Sequence, residues 1–265
     1  MKKYNNQHFI SYGDKNFKKS VLRIEREAKD FNSFKSIEVF KNKDFYDKDF
    51  LKKYKKVIKQ KKLSGYGIWK YYLINKKINE INNDEFLIYC DAGCTINAKG
   101  KDRYYEYLDM LSESDFGIIS FPIRNHIDED YKDNPTLEKI WTTKEIFDYF
   151  KIDINDPVAN SPQILSGILI IKKNNHIKEI LSEYKKVLEY DQNLITDYYN
   201  LQNQHDFFKE NRHDQSIWSV LRKVYGSCDL DVDESFFYYV KEKGKIDYDD
   251  PDKWKYPFWA TRIKI

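Results

Sequence analysis

The stretch Phe86-Leu87-Ile88-Tyr89-Cys90 is an unbroken run of apolar side chains, and Asp91-Ala92-Gly93 follows it at once. Such a run predicts a β-strand covered on both faces, because a strand with one face in water alternates apolar and polar residues. The Asp-Ala-Gly step is typical of a turn. Sheets covered on both faces are mostly parallel sheets with helices on either side, so this stretch predicts an α/β fold.

Segments on both sides of this strand alternate between strand-like and helix-like patterns. Strands are predicted at 8–14, 37–40, 117–121 and 164–172, and helices at 17–29, 47–60, 69–81, 104–112, 144–150, 176–190, 191–203 and 214–225. The polar stretch 124–136 is predicted to be a long loop. The alternation predicts a largely parallel central sheet flanked by helices. A chain of 265 residues without an internal boundary is expected to form a single domain, 1–265.

The charge balance is close to neutral, with 46 basic against 43 acidic residues and a net charge of +3. Nucleic-acid-binding domains usually carry a clearer basic excess, so no nucleic-acid partner is expected. The strongest local basic patch is the lysine-rich run 48–62. It is either the solvated face of an amphipathic helix or a contact for phosphates or a membrane surface.

Cysteine usage and hydropathy indicate a cytoplasmic protein. Cys90, Cys94 and Cys228 are odd in number and lack C-x-x-C spacing, which favours a reducing compartment and argues against a zinc site. No apolar run follows Met1-Lys2-Lys3, so no signal peptide is expected. No apolar stretch approaches the roughly 20 residues that a membrane span needs.

Polar residues are predicted to converge at one edge of the sheet. In open α/β sheets, ligands bind beyond the carboxyl ends of the strands. Ser11-Tyr12-Gly13-Asp14 and Asp91-Ala92-Gly93 both end predicted strands, and the loop at Gly65 leads to the same edge. The residues alone leave two interpretations of Asp91 open, a turn cap or a contact to a ligand or metal.

With these segments in place, the chain resembles a family of glycosyltransferases. Gly65-Tyr66-Gly67-Ile68-Trp69-Lys70, a helix and then Leu87-Ile88-Tyr89-Cys90-Asp91-Ala92-Gly93-Cys94 are similar to the GT-A fold, a Rossmann-like nucleotide-sugar-binding fold. The family occurs in bacterial polysaccharide clusters and in large DNA viruses. Further segments resemble family motifs in the same order: 138–142 with 145–147, Gln163 with Ser166-Gly167, 212–216 and 260–263.

The resemblance implies an activity and a location. A sugar would pass from a nucleotide diphosphate donor, expected to be a UDP-sugar, to a glycan acceptor of a virus particle or a cell surface. If the protein is viral, the compartment is the host cytoplasm. The resemblance runs from Phe9 to the end of the chain.

The same resemblance implies Mn²⁺ or Mg²⁺ as a cofactor. Negative charge builds up on the departing diphosphate, and a divalent cation or basic side chains must neutralise it. GT-A enzymes usually hold the ion with Asp-x-Asp. Here the segment reads Asp91-Ala92-Gly93, which leaves one carboxylate and makes the need for metal an open question. A late histidine of the family implies His213 as the second ligand; the alternative is a solvated residue at a helix start.

The resemblance also assigns roles to individual residues. Asp214 is the expected base for the acceptor proton if the enzyme inverts, with N-capping as the alternative, and Asp91 is the second catalytic candidate. The donor side is expected to comprise Ser11, Tyr12, Gly13, Asp14, Gly65, Tyr66, Trp69, Lys70, Asp91, Ala92, Gly93 and Arg262. The sugar or acceptor side is expected to comprise Gln163, Ser166, Gly167 and Trp141. Core packing is the alternative for Trp69, and surface ion pairs for Lys70 and Arg262.

Two other functions fit parts of the pattern. A sugar nucleotidyltransferase also joins an α/β sheet to metal and nucleotide, but it normally has a glycine-rich phosphate loop near the first strand. The segment 11–15 contains one glycine. A non-catalytic glycan-binding module is the other alternative. The enzymatic assignment depends on Asp91 facing a cleft at the sheet edge.

Overall fold

A four-stranded sheet forms the centre of the protein. β1 (Gln7–Tyr12) pairs in parallel with β2 (Ser36–Phe40) and β3 (Phe86–Cys90), whereas β6 (Ile168–Lys172) runs antiparallel to β3. The strand order is therefore β2-β1-β3-β6. The structure is a computed structural model and describes residues 4, 6–123, 136–235, 239–240, 245–246 and 251–264. The predicted α/β class with a mostly parallel sheet flanked by helices is confirmed.

Helices and short strands surround this sheet. The helices are α1 (Lys18–Phe31), α2 (Lys48–Lys53), α3 (Lys55–Ile58), α4 (Leu63–Tyr66), α5 (Ile68–Glu80), α6 (Lys101–Glu113), α7 (Glu138–Trp141), α8 (Lys144–Phe150), α9 (Asn175–Tyr190) and α10 (Asp214–Tyr225). Three two-stranded pairs are β4 (Thr95–Ile96) with β10 (Phe258–Trp259), β5 (Ile119–Ser120) with β7 (Cys228–Asp229), and β8 (Tyr239–Val240) with β9 (Lys245–Ile246). No described helix has the length and apolar character to cross a bilayer.

The two faces of β3 belong to two hydrophobic cores. Leu87 and Tyr89 pack in the core that also contains residues of α5, α9 and α10. Phe86, Ile88 and Cys90 pack in the other core, with residues of α1 and α6. Successive strand side chains point to opposite faces, and each buried apolar side chain stabilises the fold by about 1.5–3 kcal/mol. This explains the unbroken apolar run.

Two predicted helices differ from the structure. The segment 47–60 is broken into α2 and α3 at Tyr54, which has φ −106° and ψ 23° and a buried ring. The segment 191–203 holds two 3₁₀ turns, Gln192–Ile195 and Leu201–Asn203. Both turns begin where a side chain of Asp191 or Asn200 accepts a backbone N–H two residues on, a bond that competes with the α-helix.

The predicted strands at 117–121 and 164–172 are also shorter than expected. Only Ile119–Ser120 forms a strand, and it pairs with β7 outside the central sheet. A single bridge from Ile118 to Ile171 links it to β6. The strand β6 begins only at Ile168, after a bend at Gly167. The predicted loop at 124–136 lies, apart from Thr136, outside the described residues.

Candidate active site

A cleft of about 710 Å³ opens at the edge of the sheet where β1 and β3 end and β6 begins. Its walls come from separate parts of the chain: Tyr12–Asp14, Asn16, Phe17, Lys61–Ser64, Gly67, Trp69, Lys70, Asp91–Cys94, Leu165–Gly167, Glu210, Arg212–Gln215, Ala260, Arg262 and Lys264. Parallel strands bring their carboxyl ends to one edge, so the polar residues that follow β1 and β3 meet there.

Asp91 lines this cleft one residue beyond β3, with 41% of its side chain exposed. Its backbone N–H donates to the Gly167 carbonyl at 2.8 Å, and the Tyr89 hydroxyl donates to Oδ1. Desolvation by the surrounding protein raises the pKa of Asp91, and the neighbouring Asp214 carboxylate acts in the same direction. Lys70 and the Tyr89 hydroxyl act to lower this pKa but do not offset the rise.

A buried ammonium joins Asp91 to Asp214. Lys70 on α5 is 3% exposed, and its Nζ lies 2.7 Å from Asp214 Oδ2 and 3.4 Å from Asp91 Oδ1. Nζ also donates to Ser166 Oγ at 3.2 Å, and that hydroxyl donates to Asp214 Oδ2 at 2.9 Å. Burial alone would lower the pKa of Lys70, but the two carboxylates outweigh it and the pKa is raised. The lysine is therefore a fixed positive charge between two acids.

Glycine backbone allows the two carboxylates to sit this close to the chain. A Cβ on Gly67, which has φ +80°, would collide with the Asp214 carboxylate. A Cβ on Gly167 would lie 3.1 Å from Asp91 Oδ2. Both carboxylates thus pack against bare backbone.

The short element α4 and Gly67, which form the part of the cleft wall just before α5, make a left-handed turn and not an ordinary right-handed helix. All five residues from 63 to 67 have φ between +46° and +98°. Each non-glycine residue in this region costs about 1–2 kcal/mol, and such strain is concentrated at functional sites. Trp69 Nε1 donates to the Leu63 carbonyl at 3.2 Å, and the Ser64 hydroxyl lies 3.1 Å from the Tyr12 hydroxyl. These bonds hold the turn against the sheet edge.

His213 lines the cleft from the residue before α10, also with a left-handed φ of 57°. Its Nε2 lies 2.8 Å from Asp197 Oδ1, and Lys62 Nζ holds the other oxygen of Asp197 at 2.9 Å. Burial lowers the pKa of His213, although Asp197 opposes this. The ring is therefore neutral near pH 7, with Nε2–H donating to Asp197 and the lone pair on Nδ1. Neither His213 nor Asp214 caps α10, since no side-chain cap bond forms there.

Asp91 and His213, the two metal ligands that the resemblance implies, both line the cleft. Within the described residues, no three His, Cys, Asp or Glu side chains are grouped to hold a metal. Mg²⁺ bound with a nucleotide takes few protein ligands and completes its shell with phosphate and water. A carboxylate orients the His213 ring through Nε2, an arrangement common behind metal-ligating histidines. Asp91 and His213 would thus supply one oxygen and one nitrogen ligand.

Most residues predicted for the site line the cleft. They are Tyr12, Gly13, Asp14, Trp69, Lys70, Asp91, Ala92, Gly93, Ser166, Gly167, His213, Asp214 and Arg262. Tyr12 and Trp69 are only 3% and 8% exposed and their rings lie 4.5 Å apart. They therefore form part of the packed wall as well as the cleft surface.

Five predicted residues lie outside the cleft lining: Ser11, Gly65, Tyr66, Trp141 and Gln163. Ser11 Oγ donates to the Cys90 carbonyl at 2.7 Å and so ties β1 to β3. Gly65 is buried in the left-handed turn, and the Tyr66 ring packs 5.0 Å from that of His213.

Trp141 and Gln163 support the wall from behind. The Arg212 guanidinium lies 4.0 Å above the Trp141 ring. Gln163 donates to Glu138 at 3.1 Å and accepts from Gln215 Nε2 at 2.7 Å. The contacts to Arg212 and Gln215 hold residues that do line the cleft.

The structure adds residues that sequence reasoning missed. Arg23 donates to the carbonyls of Ala92 and Cys94 at 3.0 and 2.8 Å and so fixes the loop after β3. No signal in the sequence marked Arg23, because its helix has an ordinary amphipathic pattern. Gln215, by contrast, lies in the segment 212–216, which resembles a family motif, but no role was predicted for it.

Comparisons with known proteins give distant likenesses of fold. No family model and no curated protein sequence matches the chain. Among solved structures, a glycosyltransferase involved in the glycosylation of the major capsid of PBCV-1 matches at 9% identity and TM-score 0.38, over 78% of this chain and 81% of that one. Mouse xyloside xylosyltransferase 1 matches at 11% identity and TM-score 0.43, over 96% of both chains. The glycosyltransferase GlyE of Streptococcus pneumoniae TIGR4 matches at 11% identity and TM-score 0.41, over 86% of this chain and 46% of that one. Likenesses this distant carry nothing about activity.

Proposed function

We propose that this protein is a glycosyltransferase that moves a sugar from a nucleotide diphosphate donor, a UDP-sugar, to a glycan acceptor. The observation that carries the proposal is the Asp91–Lys70–Asp214 cluster on the floor of a 710 Å³ cleft at the sheet edge. Ligand clefts of this kind measure about 300–1,000 Å³. The acceptor would be a glycan of a virus particle or a cell surface, and the reaction would take place in the cytoplasm.

The nucleoside end of the donor is proposed to lie at the end of β1. Tyr12, Asp14 and Phe17 line this part of the cleft. The Asp14 carboxylate accepts from the Asn16 backbone N–H at 2.8 Å, which holds it in place beside the opening. Carboxylate oxygens accept hydrogen bonds from ribose hydroxyls.

The diphosphate is proposed to lie where positive charge is concentrated. Lys62, Arg212, Arg262 and Lys264 line the cleft and supply donors for phosphate oxygens. Asp91 and His213 would hold Mn²⁺ or Mg²⁺. When bound, such an ion supplies neutralisation of the charge that develops on the leaving diphosphate.

The sugar is proposed to lie over the Asp91–Lys70–Asp214 cluster. Carboxylate oxygens accept hydrogen bonds from sugar hydroxyls, and the Lys70 ammonium pairs with both acids. Asp214 is the proposed base for the acceptor proton in an inverting reaction. It is only 6% exposed and already accepts from Lys70 and Ser166, so its orientation is fixed before a substrate arrives.

The test is a calorimetric titration of the protein with UDP and UDP-sugars, with and without Mn²⁺, on the wild type and Asp91→Asn. We expect UDP binding that Mn²⁺ strengthens in the wild type, and loss of most of that strengthening together with sugar transfer in the variant. Absence of nucleotide diphosphate binding under both conditions would contradict the proposal. Pyrophosphate release from a nucleoside triphosphate and a sugar phosphate would identify a nucleotidyltransferase instead. Glycan binding that Asp91→Asn leaves unchanged, without turnover, would identify a binding module.

A further inference from the structure

The positive charge of the chain is concentrated in one segment. Residues 47–62 contain eight lysines and two aspartates, while the rest of the chain has 38 basic against 41 acidic residues. A local excess of this size inside a protein of net charge +3 produces a positive potential over one part of the surface.

The structure leaves all eight lysines of this segment exposed to solvent. The other side of this segment is anchored in the core by Tyr54, Val57 and Ile58, which are 3–7% exposed. The Phe50 ring also packs 4.6 Å from the Tyr72 ring. The break at Tyr54 thus turns the aromatic side inward and leaves the polar side to solvent.

Six lysines of this segment, all exposed, have no acidic partner in the described parts of the chain. Lys61 lines the cleft, and the other five are Lys48, Lys52, Lys55, Lys56 and Lys59. We call these five residues the basic face. Neighbouring Lys53 and Lys62 do have partners, Glu189 at 2.6 Å and Asp197 at 2.9 Å. Those two ion pairs fasten the segment to the rest of the molecule.

Apolar side chains are exposed among the lysines, and the face continues into the cleft. Leu51 is 39% exposed and Leu63 is 55% exposed. Lys61, Lys62 and Leu63 lie between the basic face and the cleft and line its mouth. A ligand surface that contacts the basic face would therefore lie next to the cleft opening.

We propose that the basic face docks the protein on a membrane surface that carries anionic lipid headgroups. Clustered lysines are attracted to such a surface, and interspersed exposed leucines can enter the boundary between headgroups and acyl chains. A soluble anionic polymer would use the charges but not the leucines, which is why a lipid surface is the favoured partner. The inference stands whether or not the cleft holds a UDP-sugar.

The test uses the full chain in sedimentation with vesicles at low and high salt. One set of vesicles contains phosphatidylcholine and phosphatidylglycerol in equal parts, and the other contains phosphatidylcholine alone. We expect binding to the anionic vesicles only, and its loss at high salt because exposed charges are then screened. A single Lys→Ser change in the basic face should weaken binding about fivefold, the fold-change that corresponds to the ~1 kcal/mol per basic residue at an anionic surface.

A charge-matched pair of variants separates the effect of the basic face on vesicle binding from the effect of net charge. One variant reverses all five residues of the basic face to Glu. The control reverses five exposed lysines elsewhere to Glu: Lys18, Lys19, Lys151, Lys178 and Lys209. We expect the first to lose vesicle binding and the second to keep it, and both to keep their UDP titration because none of these lysines lines the cleft. Equal losses in both variants would overturn the proposal.

A third arm distinguishes lipid from polymer. Leu51→Ser should weaken binding to anionic vesicles while leaving binding to soluble dextran sulfate unchanged. Binding of the wild type to dextran sulfate that is as tight as to vesicles, with no effect of Leu51→Ser on either, would overturn the lipid assignment. Equal binding to pure phosphatidylcholine would overturn the role of charge.

Discussion

The Lys70 ammonium lies 2.7 Å from the Asp214 carboxylate, with the lysine 3% and the aspartate 6% exposed. Removing one partner of a buried ion pair costs about 3–5 kcal/mol, because the other charge is left without compensation. We therefore expect Lys70→Met to lower the free energy of unfolding by about that amount at pH 7. Urea denaturation at pH 7 measures this loss.

The matched control for this prediction is Lys76→Met on the same helix. Lys76 is 45% exposed in its side chain and lies 3.9 Å from Glu80, and exposed pairs of this kind contribute about 0–1 kcal/mol. Equal effects of the two substitutions would show that the Lys70 pair does not stabilise the fold.

Gly67 is predicted to be intolerant of any side chain. Its φ is +80°, and a Cβ there would collide with the Asp214 carboxylate. We expect Gly67→Ala to destabilise the protein by about 2 kcal/mol or more and to displace Asp214, because backbone strain and the collision act together. Gly93→Ala is the matched control: its nearest neighbours lie 3.4 Å or more away and its φ is outside the left-handed region. Thermal melting of both variants tests this; a melting temperature for Gly67→Ala as high as that of Gly93→Ala would contradict it.

Much of the frame around these residues could be predicted from the sequence, because it depends on local patterns. The run 86–90 indicated a doubly covered strand, and α5, α8 and α10 begin and end within a residue of the predicted bounds. The position of Tyr12 and Asp91 at one sheet edge could also be predicted, because parallel strands bring their carboxyl ends to the same edge. Two of the four segments that differ from the prediction, 191–203 and 117–121, depend on side chains that bond the backbone locally and on a partner strand far along the chain. Periodicity encodes neither.

Most residues of the site could be predicted from the sequence, but the contacts between their side chains could not. Lys70 was expected on the donor side, with a surface ion pair as the alternative, and the structure shows it buried and paired with Asp91 and Asp214. That arrangement arises from tertiary packing of α5 against the start of α10, and spacing in the sequence does not contain it. The left-handed turn at 63–67 was likewise visible only as a break at its glycines, since Leu63 and Ser64 give no signal for a positive φ.

Glu85 is expected to make the fold sensitive to acid. It is 4% exposed and accepts from the Asn82 backbone N–H at 2.8 Å, with Lys35 Nζ at 3.2 Å. Burial acts to raise the pKa of Glu85, but these bonds and His8 outweigh it and hold the pKa at about 2, below the ordinary 4.5. Because the pKa is lowered in the folded state, the stabilisation is complete above pH 4.5 and is lost as the pH falls towards 2.

That difference corresponds to about 3 kcal/mol at neutral pH. We expect Glu85→Gln to remove most of it and to flatten the dependence of unfolding free energy on pH in this window. Glu80→Gln, at a side chain 44% exposed, is the control and should change little. A wild type whose stability is unchanged from pH 5 to pH 2.5 would refute the assignment to Glu85.

Gly93 offers a direct test of the proposed metal site, because the position is where an Asp-x-Asp motif carries its second carboxylate. A Cβ at Gly93 would lie 3.4 Å from the Arg262 backbone, an ordinary contact, so a side chain can be accommodated. If Asp91 holds the ion, Gly93→Asp adds an oxygen ligand of the kind that Mn²⁺ and Mg²⁺ prefer. We expect Mn²⁺ affinity in the presence of UDP to rise about tenfold, the effect of ~1.4 kcal/mol, measured by the electron paramagnetic resonance signal of free Mn²⁺. The double variant Asp91→Asn with Gly93→Asp should lose most of that gain, since the two carboxylates would then no longer act on one ion. A gain that persists in the double variant would place the ion away from Asp91.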